Sequence, residues 1–347
     1  MSLLKKAACI AAILCAAGPV AEARPLNLLI WESYIDPSIL KDFTAKTGIE
    51  VNQVLYDSGD ARDEILADPR SNIDLSVVGE NSAALFGKRG VLAPLDAANV
   101  PALADYDTTW KDRCVGYGVP YLSGTMGILY RSDKVTRVPT SWNDLMKPDE
   151  ALRRHIAMYD DHNEAFIAPL VLLGKSINAN DAESLKAAFT LMKAQAPYVL
   201  TYDYVITAIQ NPTIGKDIFM ALGYSGDQKA LNDKAGAQDL WRYAVPKEGT
   251  LSWLDCISVM QASPQKADAL ALVEFIASAP NAARNAEALD MPTASLKALP
   301  LIPETMRNNP AIYVPAEILS RSQYQTTLSV QSVQTRRRII SSMANYQ

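Results

Sequence analysis

Leu26-Asn27-Leu28-Leu29-Ile30-Trp31, running on into Glu32-Ser33-Tyr34-Ile35, is the stretch that decides the fold. Five apolar residues in six describe a strand buried on both faces, since a half-buried strand would alternate apolar and polar. Outward from it, the amphipathic segment Pro37 to Thr47 has proline just inside its start and Gly48 just past its end, the punctuation of a helix. Ile49 to Tyr56 reads as a second strand and Gly59 to Leu66 as a helix. Ile73-Asp74-Leu75-Ser76-Val77-Val78 is a third strand that stops at Gly79. Strands alternating with helices predict an α/β sheet. The order resumes beyond residue 124, with strands over Gly127–Tyr130 and Ile156–Tyr159 and a Ser-capped helix at Ser141-Trp142-Asn143-Asp144-Leu145. Further helices are expected over Asn163–Gly174 and Asp181–Ala194.

The first residues predict a cleaved secretory leader over 1–23. Lys5 and Lys6 precede an apolar run from Ala7 to Val20, and Ala21-Glu22-Ala23 supplies a small-x-small cleavage site. A membrane anchor competes with this reading, but the run is shorter than the roughly 20 residues a span needs and contains Gly18-Pro19. Cys9 and Cys15 lack the upstream leucine of a lipoprotein box. Loss of the leader shifts the formal charge of the chain from −5 to −6, by removing Lys5, Lys6 and Glu22. That balance disfavours nucleic acid, which asks for a basic stripe. The remaining length of about 324 residues exceeds what one core usually holds, so two lobes joined by short crossovers are expected. Cys114 and Cys256 are the cysteines left after the leader. In an oxidising compartment they admit a disulfide, and two buried thiols are the alternative.

Four pairs of aromatic and acidic residues stand at the ends of strand-like runs: Trp31 with Tyr34, Asp161 with Glu164, Tyr224 with Asp227, and Trp253 with Asp255. Carboxylates and ring faces with few basic neighbours in sequence suit an elongated organic cation, which a ring face attracts by roughly 0.5–2 kcal/mol. Each pair has a structural alternative. Trp31 would serve as a core tryptophan at a strand end, and Asp161 with Glu164 three residues later also reads as a capping box.

The string Leu28-Leu29-Ile30-Trp31-Glu32-Ser33-Tyr34-Ile35, with Phe43-Thr44-x-x-Thr47-Gly48-Ile49-x-Val51, resembles the opening of the bacterial periplasmic spermidine/putrescine-binding proteins of ABC transporters. Asp74-Leu75-x-Val77-Val78, Val119-Pro120-Tyr121-x-x-Gly124-Thr125, Ser141-Trp142-x-Asp144-Leu145, Asp160-Asp161-x-x-Glu164, Pro246-Lys247-Glu248-Gly249 and Trp253-Leu254-Asp255 follow in the family's order. The resemblance implies a two-lobed, Venus-flytrap fold that closes on ligand about a hinge. It implies lobe 1 over 24–125 and 254–299, and lobe 2 over 126–253 and 300–347. It also implies polyamine binding in the periplasm without a cofactor or catalysis, as a monomer. The bound form would be delivered to an inner-membrane ABC permease or, alternatively, would dock on a membrane sensor that controls cyclic-dinucleotide signalling.

Carried over position by position, the ligand-binding residues are Trp31, Ser33, Tyr34, Asp161, Glu164, Tyr224, Asp227, Trp253 and Asp255, to which Glu80 is added. Glu80 stands in Gly79-Glu80-Asn81-Ser82, where the family usually has Pro-Ser-x-Tyr, and Met291 replaces the tyrosine of a Tyr-Pro-Thr segment. If Glu80 faces the cleft the site holds five carboxylates, which favours a triamine such as spermidine or norspermidine; the alternative is a solvated acid at a helix start. Enzymatic and metal readings find little support. The two histidines, His155 and His162, lack metal-ligand spacing, and Ser225 in Gly-Tyr-Ser-Gly lacks the nucleophile-elbow spacing. Tyr202-Asp203-Tyr204 is expected to line the cleft or the core, with its two rings on opposite faces.

Overall fold

The computed structural model describes residues 24–347, so the leader expected over 1–23 lies outside the described residues. Its strands are β1 (Leu26–Trp31), β2 (Val51–Tyr56), β3 (Leu75–Gly79), β4 (Val119–Arg131), β5 (Ile156–Ala157), β6 (Val199–Thr201), β7 (Met220–Tyr224), β8 (Trp241–Ala244) and β9 (Ser252–Val259). Hydrogen-bonded neighbours run in the order β2-β1-β3-β9-β4-β7-β5-β6, with β8 paired to β4 off this path.

Side-chain alternation along the strands builds a core on each face of the sheet. Leu28, Ile30, Val77 and Ile257 pack with Phe43, Leu272 and Ile276. Their neighbours Leu29, Val78 and Cys256 pack on the other face with Phe86 and Cys114. Ile128 and Leu129 divide in the same way between two further clusters, one around Trp142, Phe166 and Leu185 and one around Leu231 and Trp241. Burial of both faces under helices explains why the strands read as continuous apolar runs.

β4 joins the two halves. Val119 to Thr125 pair antiparallel with β9, and from Met126 onward the same strand pairs with β7 on one edge and β8 on the other. The sequence predicts a strand only from Gly127, whereas the observed one begins at Val119. A register irregularity between Pro120 and Leu122 accommodates the proline, whose missing N–H would otherwise break the ladder. Predicted helices lie close to those observed over Pro37–Thr47, Gly59–Ala67, Trp142–Met146 and Ala182–Gln195. The segment expected as one helix from Asn163 is a 3-10 turn, Glu164–Phe166, leading into a helix over Ile167–Leu172.

One boundary differs from the expectation. Ile302, Met306 and Ile312 belong to the first core, whereas the resemblance implies the second lobe from residue 300 onward. Prolines 300, 303 and 310 keep this segment in short turns against the helix Ala279–Leu289. The chain reaches the other half only afterwards, where Gln323 bridges Leu251 and Met343 enters the second core. Cys114 and Cys256 are both fully buried and joined by a disulfide, with Cα atoms 5.9 Å apart. Among the described residues no helix is long and apolar enough to cross a membrane.

Candidate functional site

A cleft of about 1670 Å³ lies between the halves, and all ten expected binding residues line it. On the first wall, Trp31 ends β1 with its ring centroid 4.4 Å from that of Tyr56, which is anchored by a hydroxyl donated to the Val77 carbonyl. Ser33, exposed and with φ of 57°, turns the chain sharply and directs Tyr34 inward. The Tyr34 hydroxyl donates to Asp255 Oδ2 at 2.9 Å. Its carbonyl accepts from the Tyr121 hydroxyl at 2.6 Å, and Asn285 Nδ2 in turn donates to that hydroxyl at 2.9 Å. Tyr34 is therefore held at both ends. Burial pushes the Asp255 carboxyl up to about 6, against the Tyr34 hydrogen bond and the Arg62 charge, which favour the anion.

Trp253 forms the floor on β9, directly opposite Gly124 of β4. A Cβ at Gly124 would lie 2.5 Å from the indole ring and 2.2 Å from Ser225 Oγ, so the ring's place depends on that glycine. The Tyr224 ring meets the indole edge-on, with centroids 6.1 Å apart.

The second wall concentrates acids. Asp161 Oδ1 accepts from the backbone N–H of Asn163 at 2.6 Å and of Glu164 at 3.4 Å, so it caps the turn while lining the cleft. Glu164 does not complete a capping box; its Oε1 accepts from the Tyr224 hydroxyl at 3.0 Å. Burial, with the Asp161 charge beside it, pushes the Glu164 carboxyl well above the usual range. Although burial opposes it, hydrogen bonds from Glu164 and from the Asn163 N–H hold Asp161 below that range. Asp227, at the start of the helix Asp227–Ala235, accepts from the Tyr204 hydroxyl at 2.6 Å and the Tyr224 N–H at 2.8 Å, and burial raises it to about 7. Three buried polar atoms lining the cleft have no hydrogen-bond partner among the described residues: Glu164 Oε2, Tyr202 Oη and Trp253 Nε1.

Glu80 also lines the cleft, but its two carboxylate oxygens are taken by Arg113, whose guanidinium lies 3.2 Å from the Tyr324 ring centroid. The expected set of five available carboxylates is thus reduced to four. Arg113 lies 33 residues from Glu80, and nothing in the local sequence of either signals the pair. Arg62 is a second cation that sequence reasoning missed. It lies 8% exposed in the same wall, bonded to Asp63 and Ser82 and 5.7 Å from the Tyr56 ring. The expectation that Tyr202 and Tyr204 face opposite ways is corrected. A bend at Asp203 breaks the extended geometry, and both rings line the cleft.

Residues 38–314 match the family model of the bacterial extracellular solute-binding proteins. The chain is 32% identical over 324 residues, 93% of its length and 89% of the relative's, to the norspermidine sensor of Vibrio cholerae. It is 30% identical to the putrescine-binding periplasmic protein SpuD of Pseudomonas aeruginosa, over 87% of this chain and 86% of that one. Among solved structures, the spermidine/putrescine ABC transporter substrate-binding protein PotD of Streptococcus pneumoniae superposes with a TM-score of 0.78 at 23% identity, covering 93% of this chain and 99% of that one. A two-lobed α/β architecture with a cleft between its halves, together with a family match over most of its length, makes this chain a member of the bacterial extracellular solute-binding proteins.

Proposed function

We propose that the protein captures a linear polyamine in the periplasm, without chemistry of its own. The observation that carries this is the composition of the cleft: Asp161, Glu164, Asp227 and Asp255 are set among the rings of Trp31, Tyr34, Tyr224 and Trp253, and one oxygen of Glu164 is buried without a partner. Acids at opposite walls suit the two ends of a cationic chain, and ring faces suit the methylenes between them. A diamine or triamine of the putrescine, spermidine and norspermidine class offers an ammonium group to each of these walls. Trp31, Ser33, Tyr34, Asp161, Glu164, Tyr224, Asp227, Trp253 and Asp255 are the proposed contacts. The proposed lobes are 24–125 with 254–312, and 126–253 with the chain after Gln323. Calorimetric titration of residues 24–347 with putrescine, cadaverine, spermidine, norspermidine and spermine tests the reading; silence with all five would end it.

Delivery to an inner-membrane ABC permease is the partner role we propose, in line with a relative named as a putrescine-binding periplasmic protein. The 32% identity to a norspermidine sensor over 93% of the chain favours a second reading, docking on a membrane signalling receptor. Uptake of labelled polyamine by cells lacking the gene separates the two: lost uptake restored by the gene supports delivery, and undiminished uptake supports sensing.

A further inference from the structure

We infer that Arg113 sets how many ammonium groups the cleft accepts, by neutralising Glu80 beside Asp255; the inference rests on the polyamine reading above. Gly79 and Asp255 are directly paired across β3 and β9, so the next residue, Glu80, begins its helix next to the Asp255 carboxylate. Left free, Glu80 would give this wall a second anion and the cleft an additional cation subsite. Arg113 occupies both of its oxygens in a fork, the arrangement in which a guanidinium satisfies a carboxylate most completely.

Three features hold Arg113 there. Its planar group stacks on the Tyr324 ring at 3.2 Å. Its chain neighbour Cys114 is bonded to Cys256, the residue after Asp255. Both partners of the pair are largely shielded, with side chains 26% and 12% exposed. A flexible surface lysine could be displaced by an incoming ammonium, whereas an arginine stacked, forked and anchored beside a disulfide resists exchange. Of the other acids lining this wall, Asp63 is bonded to Arg62 and Asp57 is exposed, so Asp255 is the shielded acid there without a basic side chain bonded to it, and a ligand with further ammonium groups finds Glu80 already neutralised.

Titrations at pH 8 with putrescine, norspermidine, spermidine and spermine, on wild type and on Arg113→Met, Arg113→Lys, Glu80→Gln and the Glu80→Gln/Arg113→Met double variant, test this. Arg113→Met is expected to improve spermine affinity relative to putrescine by about tenfold, since a charge-assisted hydrogen bond contributes on that scale. In the double variant that gain should vanish, and Arg113→Lys, whose ammonium an incoming amine can displace, should fall between wild type and Arg113→Met. Glu80→Gln alone, which leaves the guanidinium uncompensated, should weaken all four amines. Loss of affinity for every amine alike in Arg113→Met would assign Arg113 a purely structural role and overturn the inference. Should Arg113→Met fail to fold, an unchanged or improved affinity for all four amines in Glu80→Gln would do the same. Wild type that binds none of the amines would overturn the polyamine reading, and with it this one. Wild type that binds while Arg113→Met keeps its ratios would overturn this inference alone.

Discussion

Asp255 shows how one residue can make a binding site cost stability. Its carboxyl, buried beneath Tyr34, has a pKa raised to about 6. A folded-state value above the unfolded one means that the stability it contributes is fully present below the ordinary aspartate range and is lost as pH rises through about 6. At neutral pH the unliganded protein therefore carries a penalty of up to about 3 kcal/mol at this position, taking 1.36 kcal/mol per pKa unit. Asp255→Asn, which has nothing to ionise, should gain in melting temperature relative to wild type as pH is raised from 4 to 7.5, measured without ligand. A difference that does not change over that range would mean the carboxylate is well solvated. The same substitution should weaken polyamine binding at least tenfold, because the ligand's ammonium loses a charged partner. In wild type, affinity should fall between pH 7 and 5 as protons compete for Asp255, and Asp255→Asn should lack that part of the dependence. Most acids and rings of the site were legible in the sequence, because each stands at the end of an apolar run where a strand delivers it to the cleft. Arg113 and Arg62 were not. A cation that neutralises one of these acids is brought to it by tertiary packing, and a single sequence holds no trace of that distance.

Two elements, β4 and β9, carry the architecture, and both are sensitive where they meet at the cleft floor. Gly124 faces Trp253, and a methyl group there would overlap the indole and Ser225 Oγ. Gly124→Ala should therefore displace the floor ring, lowering affinity by about tenfold or more. A modest loss of stability should accompany it, within the 1–3 kcal/mol usual for overpacking. Unchanged affinity would show that Trp253 does not touch ligand. The Cys114–Cys256 bond encloses 142 residues, which is long enough for its loss to release considerable chain entropy in the unfolded state. Urea unfolding of Cys114→Ser/Cys256→Ser should show a stability lower by about 2–5 kcal/mol; a midpoint equal to that of the wild type would mean the bond does not restrain the unfolded chain. Element by element, the strands and helices between Leu26 and Gly79 were readable because periodicity and caps agree there, whereas the helix Glu80–Lys88 went unread. The first half of β4 was hidden by Gly118, Pro120 and Gly124, residues chosen for close packing and an irregular register rather than for strand propensity. The late return of the chain to the second half was equally hidden. Whether Ile302, Met306 and Ile312 dock on one core or the other depends on where the hinge segments lead, and both cores would accept apolar side chains.

At the scale of the whole molecule, the cleft volume decides what ligand must do. About 1670 Å³ exceeds the roughly 300–1,000 Å³ that encloses a drug-sized molecule, and a polyamine is smaller still, so the walls must approach for one ligand to touch both. Among the described residues two ion pairs span the halves, Glu32 with Lys234 at 3.6 Å and Asp60 with Arg337 at 3.0 Å. Pairs as exposed as these contribute only about 0–1 kcal/mol each, and salt screens them, so they neither lock the cleft nor close it. On the proposed reading closure is driven by the ligand itself, whose proposed contacts with Asp255 on one side and with Asp161 and Glu164 on the other exist together only when the walls come in. The unpartnered oxygen of Glu164 and the indole N–H of Trp253 point the same way, since both would gain partners in the closed form. Small-angle scattering of residues 24–347 should show a radius of gyration falling toward the roughly 20 Å of a compact chain of this length when a binding polyamine is added to saturation. The Glu164→Gln/Asp255→Asn double variant, which keeps the shape of both walls and removes their charge, should not contract at the same ligand concentration. Scattering curves that superimpose with and without a ligand shown by calorimetry to be bound would mean that the cleft is occupied without closing, and that any partner must recognise something other than the approach of the two lobes.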